Sequence, residues 1–351
     1  MSTLVIAMVG PATSVQDAGR YGAQRYGMTP SGAMDPLALA VANCLVGNPL
    51  FSAAIEIGPL GATFSARDGA VRIALAGAQR SAKVGQDSIA LHESFILAEG
   101  DSLTLGATRD GVFSYLAIEG GGVKGEPTFG SLSVNARAGL GSPYPRPLQV
   151  GDELQVPTAS LANEHAIIVP ARPEGPIRVV LGPQDDEFDD DIVQLFLRSE
   201  WKISGTSDRM GYRLEGPAKI LHRYGHNVVS DGTVNGSIQV PGSGQPIVLM
   251  PDRGTSGGYP KIATVISADL GRFAQIPAGR GLRFKAVSMQ EAQAAARAMA
   301  ALLRDLPNRL REPSGLALDI EALQNANVAG VAVNAIDAGT WQSEPSPDHQ
   351  P

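Results

Sequence analysis

The sequence has a single cysteine, Cys44, which excludes a disulfide bond within the chain and is typical of a reducing compartment. It also lacks a basic excess: the formal net charge is -7, which argues against broad nucleic-acid binding. No apolar run approaches the roughly 18 residues that span a bilayer. The short apolar segment Leu4–Gly10 has no basic stretch before it, which favours a first strand over a signal peptide. We therefore expect a cytoplasmic protein without nucleic-acid or membrane binding.

Two common catalytic motifs occur only in the wrong context. Gly120–Gly125 matches G-x-G-x-x-G, but Pro127 follows where a dinucleotide site requires a helix. Gly254–Gly258 matches G-x-S-x-G, but Tyr259-Pro260 and an apolar strand follow where a nucleophile elbow requires a helix. The only later histidine is His349, so a serine hydrolase is not indicated.

Metal and cofactor motifs are also missing. His222 and His226 are four residues apart, but Gly225 and the β-rich surroundings disrupt the helical geometry that a metal pair would use. The sequence has no H-E-x-x-H, no Walker A loop and no Ala-Met-Lys-Met biotin-acceptor segment. We expect no metal and no covalently bound cofactor. Any ATP or biotin would be supplied through another protein.

What the sequence does contain is a succession of short β segments. With 43% hydrophobic residues, 41 glycines and 25 prolines, it is typical of a turn-rich globular protein. From Ala54 onward short apolar segments alternate with turns such as Arg109–Gly111, which favours an all-β barrel or sandwich. Each half also has an early helix, starting at Asp35-Pro36 in the first and near Asp189 in the second. These patterns predict two similar β-rich halves.

A third helix is predicted after the second β-rich half. The segment Ser288–Glu291 forms a capping box that opens a long Ala-rich helix. The final residues, Ser343–Pro351, are expected to form a flexible tail.

The candidate site centres on the glycine-rich loop Pro251–Leu270 and the preceding segments of the second half. Ser207–Gly216 adds acids, arginines and a tyrosine, and Gln239 interrupts an apolar strand. Arginine can clamp a carboxylate or carbonyl, Asp or Tyr can move a proton, and Gln can hold a ureido or amide group. The alternative is that Asp208 and Arg209 pair structurally within a turn.

Eleven residues are predicted to form this site. The catalytic candidates are Asp252, Tyr259, Asp208 and Arg209. The candidates for substrate binding are Tyr212, Gln239, Gln245, Thr255, Lys261, Asp17 and Arg20.

Several long segments resemble a known family. Five segments carry the resemblance: Thr13–Gly22, Ser31–Asn48, Ile55–Phe64, Ser207–Gly216 and Ile238–Gly279. They resemble the biotin-dependent carboxyltransferase family related to allophanate hydrolase subunit 2. That family includes KipA-type proteins, the C subunit of 5-oxoprolinase and the carboxyltransferase domain of urea carboxylase. The resemblance covers residues 1 to about 290.

The resemblance implies two cyclophilin-like β-barrel domains, so the predicted fold is mainly β with a few helices. The C-terminal helical extension after about Ser288 lies outside the resemblance and is predicted from the sequence pattern alone. We place the domains at residues 1–165 and 166–287, and the extension with its tail at 288–351. Two departures from the family pattern stand in the first domain. Leu132 replaces an arginine within Gly130–Val134, and Gln79 replaces an acid.

The resemblance also implies work beside a partner similar to KipI or to the B subunit of 5-oxoprolinase, with the A subunit as a further candidate partner. The first hypothesis is a subunit of an ATP-dependent 5-oxoprolinase that opens 5-oxoproline to glutamate, or a carboxyltransferase that carboxylates a urea-like amide from carboxybiotin on a separate carrier. In either case the substrate is a small amide. In the carboxylation version, Asp252 or Tyr259 is the candidate base that removes the proton from the substrate nitrogen. The second hypothesis is a KipA-like antagonist that binds a kinase-inhibitor partner without catalysis.

Overall fold

Short apolar segments and tight turns build two large β-sheets and two small two-stranded ones. The computed structural model describes residues 1–313, in which Met1–Glu312 form one compact unit. The fold is mainly β, and its sheets curl into a half-barrel and a nearly closed barrel. The expected mainly β architecture is therefore confirmed. The exact boundaries at residues 165 and 287 stay a prediction.

The first sheet has nine antiparallel strands and lies within residues 2–156. The strands are β1 (Ser2–Val9), β2 (Ser14–Gln16), β3 (Ala54–Ile57), β4 (Ala62–Arg67), β5 (Val71–Val84), β6 (Asp87–Ser88), β7 (Ser94–Leu97), β8 (Ser102–Ile118) and β9 (Glu153–Val156). Their order in the sheet is β2-β3-β8-β4-β1-β9, and β5 pairs with β6, β7 and β8.

The turn expected at Arg109–Gly111 is wrong, because β8 continues through it. The register between β5 and β8 shifts near Gln79 and Arg80, opposite Asp110. This irregularity accommodates Arg109–Gly111 within the paired strand instead of in a turn. Gly111 takes a φ of 86° there, which a residue with a side chain rarely adopts. The predicted run of short segments is thus partly two long strands.

The second half contains twelve strands among the described residues: β10 (Ala166–Ile167), β11 (Ile177–Leu181), β12 (Trp201–Ile203), β13 (Gly211–Glu215), β14 (Asp231–Gly232), β15 (Ser237–Gln239), β16 (Ile247–Leu249), β17 (Ser256–Gly257), β18 (Lys261–Val265), β19 (Gly281–Leu282), β20 (Phe284–Ala286) and β21 (Leu310–Arg311). Eight of them form the second sheet, in the order β19-β12-β13-β16-β15-β18-β11-β20. Its one parallel pair in the described residues is β11 with β20. The other four strands form two small ladders, β10 with β21 and β14 with β17.

Helix α1 (Pro36–Leu45) packs against both halves of the chain. Asp35 caps its N-terminus as predicted, accepting a hydrogen bond from the Ala38 amide. Nine of its ten residues are buried, and it shares one hydrophobic core with strands of the second sheet. Cys44 is buried in this core, and burial raises the pKa of its thiol to about 11. Cys44 therefore serves as an apolar core residue.

The described part of the second half contains three further α-helices. Helix α2 (Asp190–Arg198) and helix α4 (Met289–Asp305) confirm the predictions, and Ser288 and Glu291 form the predicted capping box of α4. Helix α3 (Ser267–Ala274) follows β18 and had not been predicted. Within residues 1–313, no helix combines the length and apolar character that crossing a bilayer requires. The tail Ser343–Pro351 lies outside the described residues.

Asp269 attaches α3 to the second sheet. It is 1% exposed, and its carboxylate accepts bonds from the guanidinium and backbone amide of Arg178 in β11 and from Arg272 in α3. Burial would raise the pKa of Asp269, but the bonds from Arg178 and Arg272 outweigh it and lower the pKa. The ionised carboxylate therefore stabilises the folded state.

We expect Asp269→Asn to lower the free energy of unfolding at pH 7 by about 2 to 4 kcal/mol, because two arginines lose a buried partner. The pKa of this group is lower in the folded than in the unfolded chain. Its contribution is therefore present above the unfolded value of about 4 and is lost as the pH falls through the folded value. Urea unfolding of both proteins between pH 7 and pH 3 measures this.

Asp191→Asn on the exposed start of α2 is the control, and we expect it to change stability by no more than about 0.5 kcal/mol. If the free energies of unfolding of Asp269→Asn and the wild type differ by the same amount from pH 7 down to pH 3, this role of Asp269 is contradicted.

Candidate functional site

The glycine-rich loop is held between the two halves. Its buried strand forms as predicted, over Lys261–Val265. At its start the carbonyl of Pro251 accepts hydrogen bonds from the Thr29 hydroxyl at 2.9 Å and from the Ser31 amide at 3.1 Å. The N-terminal segment therefore sets the position of the loop and of Asp252, which follows Pro251.

Arg209 forms the centre of the site. Its guanidinium makes a bidentate pair with Asp252, at 2.9 and 3.1 Å. It also donates to the Glu56 carboxylate and, at 2.7 Å, to the Gly32 carbonyl. Four of its five N–H donors thus have acceptors in the described residues. Arg209 does not pair with Asp208, so the alternative interpretation of a local turn pair is wrong.

Glu56 is the residue of the site that sequence reasoning missed. It lies in β3, is fully buried, and accepts bonds from the Tyr115 hydroxyl at 2.6 Å and the Met34 amide at 2.8 Å. Burial raises the pKa of Glu56, against the opposing effects of Arg209 and these two donors. The available signal was an acid within the apolar strand Ala54–Ile57.

The charges of this cluster stabilise one another. Burial by itself would lower the pKa of Arg209, but the carboxylates of Asp252 and Glu56 outweigh it and raise the pKa. Burial and the neighbouring Glu56 also raise the pKa of Tyr115 well above its usual value, so Tyr115 stays a hydrogen-bond donor at neutral pH.

A cleft of about 810 Å³ opens beside this cluster. Four predicted site residues line it: Asp208, Arg209, Tyr212 and Asp252. Both halves of the chain contribute, and most of the remaining wall is apolar. Among the other lining residues are Pro11, Pro59, Arg109, Phe113, Asn135, Arg137, Ile203, Ile276 and Pro277. The cleft therefore joins a charged wall to apolar surfaces, as small-molecule sites commonly do.

The other predicted residues of the second half lie apart from this cleft. Gln239 lines a smaller neighbouring cavity. Gln245 accepts a bond from the Gly216 amide, and the carbonyl of Thr255 accepts one from Thr233. Lys261 is 1% exposed, with its Nζ 3.3 Å from the Asp231 carboxylate.

Tyr259 is 40% exposed and is not part of the cleft wall. The structure thus separates the two candidate bases: Asp252 lines the cleft and Tyr259 does not. The tyrosine that does line it, Tyr212, is buried and donates its hydroxyl to the Ala274 carbonyl at 2.9 Å.

Asp17 and Arg20 organise a loop of the first half. The Asp17 carboxylate accepts bonds from the hydroxyls of Ser131 and Ser133 and from the Leu132 amide, and Arg20 donates to the Ser133 carbonyl. The segment that departs from the family pattern at Leu132 is therefore held by Asp17. Neither Asp17 nor Arg20 lines the cleft.

His222 and His226 belong to no potential metal-binding group in the part of the chain that the structure describes. Their ring centroids are 6.3 Å apart, and Nε2 of His222 lies 2.8 Å from the Val240 carbonyl. Residues 1–313 contain no group of three or more His, Cys, Asp and Glu side chains arranged to hold a metal ion.

Comparison with known proteins identifies the family. Residues 26–286 match the family model described as carboxyltransferase domain, subdomain A and B. The chain belongs to this carboxyltransferase family. It is 40% identical to the C subunit of 5-oxoprolinase from Escherichia coli, over 82% of this chain and 93% of that protein. It is 36% identical to the C subunit of 5-oxoprolinase from Haemophilus influenzae, over 80% of this chain and 89% of that protein.

A solved structure supports the same assignment. The crystal structure of Kluyveromyces lactis urea amidolyase matches 91% of this chain with a TM-score of 0.79 and 28% identity. This chain corresponds to only 20% of that much longer protein. The resemblance inferred from the motifs is confirmed, and the similar proteins are parts of larger enzymes or enzyme subunits.

We expect Arg209→Met to lower the free energy of unfolding by about 3 to 5 kcal/mol, because it leaves Glu56 buried without its counter-charge. Adding Glu56→Gln removes that uncompensated charge. The double variant should therefore lose less stability than the two single variants combined, and urea unfolding of all four proteins measures this coupling.

Arg213→Met is the matched control, since Arg213 is an exposed arginine on the adjacent strand β13. We expect it to change stability by about 0.5 kcal/mol or less. Strictly additive effects of the Arg209 and Glu56 substitutions would show that the pair is not coupled.

Proposed function

We propose that this chain is the C subunit of an ATP-dependent 5-oxoprolinase, which opens 5-oxoproline to glutamate only together with partner subunits. The observation that carries the proposal is the similarity to the C subunits of two 5-oxoprolinases across nearly their whole length. The cleft supports it, because Asp252 and Arg209 form a charged wall beside a space that accommodates a small amide.

The reaction breaks the C–N bond of the ring amide. Water adds OH to the carbonyl carbon and a proton to the nitrogen, while hydrolysis of ATP to ADP and phosphate drives the opening. A group that accepts a proton must lie beside the substrate. Asp252 is our candidate, because its bidentate pair with Arg209 holds its carboxylate at the cleft wall.

The partners in this proposal are a protein similar to KipI or to the B subunit of 5-oxoprolinase, and the A subunit. The chain has no Walker A loop, so we assign the binding of ATP to the complex rather than to a motif of this chain. We expect the complex in the cytoplasm, in keeping with the single buried cysteine.

A second candidate function is carboxyl transfer to a urea-like amide, favoured by the family model and by the similarity to urea amidolyase. Carboxybiotin on a separate carrier would supply the carboxyl group. The chemistry of the cleft residues suits carboxybiotin, because Pro59, Phe113 and Pro277 offer apolar contact to the biotin ring. Arg109 and Arg137 offer donors to a ureido oxygen, whereas most donors of Arg209 are already engaged.

The test mixes the full chain with the A and B subunits of the same organism and measures ATP-dependent release of glutamate from 5-oxoproline. We expect Asp252→Asn to reduce kcat by about a hundredfold or more, the usual range for losing a proton-transfer group. Asp191→Asn serves as the control with unchanged activity. If the complete complex is inactive and Asp252→Asn changes no measured property, the proposal is wrong.

Co-purification separates catalysis from a KipA-like binding function. The variants Arg209→Lys, Tyr212→Phe and Asp252→Asn are mixed with the partner and scored for assembly beside activity. Intact assembly with lost activity would exclude a purely binding role. ATP- and carboxybiotin-dependent carboxylation of urea without glutamate release would instead favour the carboxyltransferase.

A further inference from the structure

A second cavity, of about 270 Å³, adjoins the cleft and shares Arg137, Asp208 and Met210 with it. Two more arginines, Arg213 and Arg253, also line it. We call it the arginine cavity. Three guanidinium groups against the single carboxylate of Asp208 give its lining a formal charge of +2, counted as 3 - 1. Such a lining favours an anion.

Arg253 is the most informative member of the arginine cavity. It is 3% exposed, and the one hydrogen bond that its side chain makes in the described residues is a long one, from Nη2 to the Thr233 carbonyl at 3.3 Å. Its Nε is buried without any partner there. Burial lowers the pKa of Arg253, and the described residues offer it no ion-pair partner. A buried guanidinium in this state is costly unless an anion accompanies it.

Gln239 supplies a second unused donor. It is 8% exposed, and its Nε2 has no hydrogen-bond partner in the described residues. The loop approaches it closely at Gly257, where an added Cβ would lie 2.4 Å from that nitrogen. A glycine at this position lets the loop pack against the amide. The amide is thus held at the wall of the cavity beside Arg253.

The acid in the lining does not neutralise these groups. One oxygen of Asp208 accepts bonds from the amides of Met210 and Gly211, and the other lies 3.6 Å from Arg137. Arg213 makes no side-chain hydrogen bond or ion pair with residues 1–313. The positive charges of Arg213 and Arg253 are therefore not neutralised by any carboxylate in the described residues.

From these contacts we infer that the arginine cavity binds the carboxylate of a small organic acid. Guanidinium groups suit a carboxylate because they can donate two parallel hydrogen bonds to it, and an amide donor can complete its coordination. In combination with the proposed function, on which this identification of the acid rests, the ligand is 5-oxoproline. Urea carries no such anionic group, so the cavity distinguishes the two candidate substrates.

The first test is titration calorimetry of the full chain with 5-oxoproline and with 2-pyrrolidinone, the same lactam ring without the carboxylate. We expect 2-pyrrolidinone to bind at least about tenfold more weakly, the loss that one charge-assisted hydrogen bond implies. Arg213→Gln should weaken 5-oxoproline by about tenfold or more without unfolding the chain, because Arg213 is exposed. Arg223→Gln, a surface arginine outside both cavities, is the control.

Three results would overturn the inference: no binding of 5-oxoproline at millimolar concentration, equal binding of 2-pyrrolidinone, or tighter binding of inorganic phosphate that depends on Arg213. The last would identify a phosphate site instead.

A kinetic test separates this inference from the proposed function. In the complete complex, Arg213→Gln should raise KM for 5-oxoproline by about tenfold and leave kcat within about threefold. If the Arg213→Gln complex is active and its KM for 5-oxoproline is unchanged, the arginine cavity does not bind the substrate, but the proposed function is unaffected. If the chain binds 5-oxoproline in an Arg213-dependent way but the complete complex does not hydrolyse it, the proposed function is wrong and the carboxylate site is supported.

Discussion

The buried ion cluster at Arg209 is the interaction on which the site depends. One guanidinium joins Glu56 in β3 of the first sheet to Asp252 in the loop after β16 of the second. Because none of the three charges is well solvated, removing one leaves another without compensation. The cluster therefore constrains the packing of the two sheets, and the cleft lies beside it.

Other contacts across the same junction support this arrangement. Apart from Asn43, helix α1 is apolar, and it is buried in a core shared with the second sheet. Asp35 accepts bonds from Arg172 and from Gln275 at the end of α3, and Gln275 in turn accepts from the amides of Val112 and Phe113 in β8. Neither half could form the cleft alone, because each contributes part of its wall.

Local features of the fold were predictable because they depend on neighbouring residues. The Asp35-Pro36 start of α1, the Ser288 capping box and the buried strand after the glycine-rich loop all follow from short-range chemistry. The turn expected at Arg109–Gly111 was wrong, since pairing with the distant strand β5 carries β8 through it. Helix α3 had not been predicted, and Asp269, which anchors it, is held by an arginine 91 residues earlier.

The sequence by itself determined the class of fold, the family and the residue types of the site, because long motifs and short apolar segments separated by turns are local properties of the chain. Only the tertiary structure decided which charged side chains pair with one another and which residues line the cleft. Arg209 binds Glu56 from 153 residues earlier instead of the adjacent Asp208, and Asp252 lines the cleft whereas Tyr259 does not. Arg253 proved to be buried without an ion-pair partner in the described residues. The physical reason is that charge pairing and burial depend on distances in space, which separation along the chain does not specify.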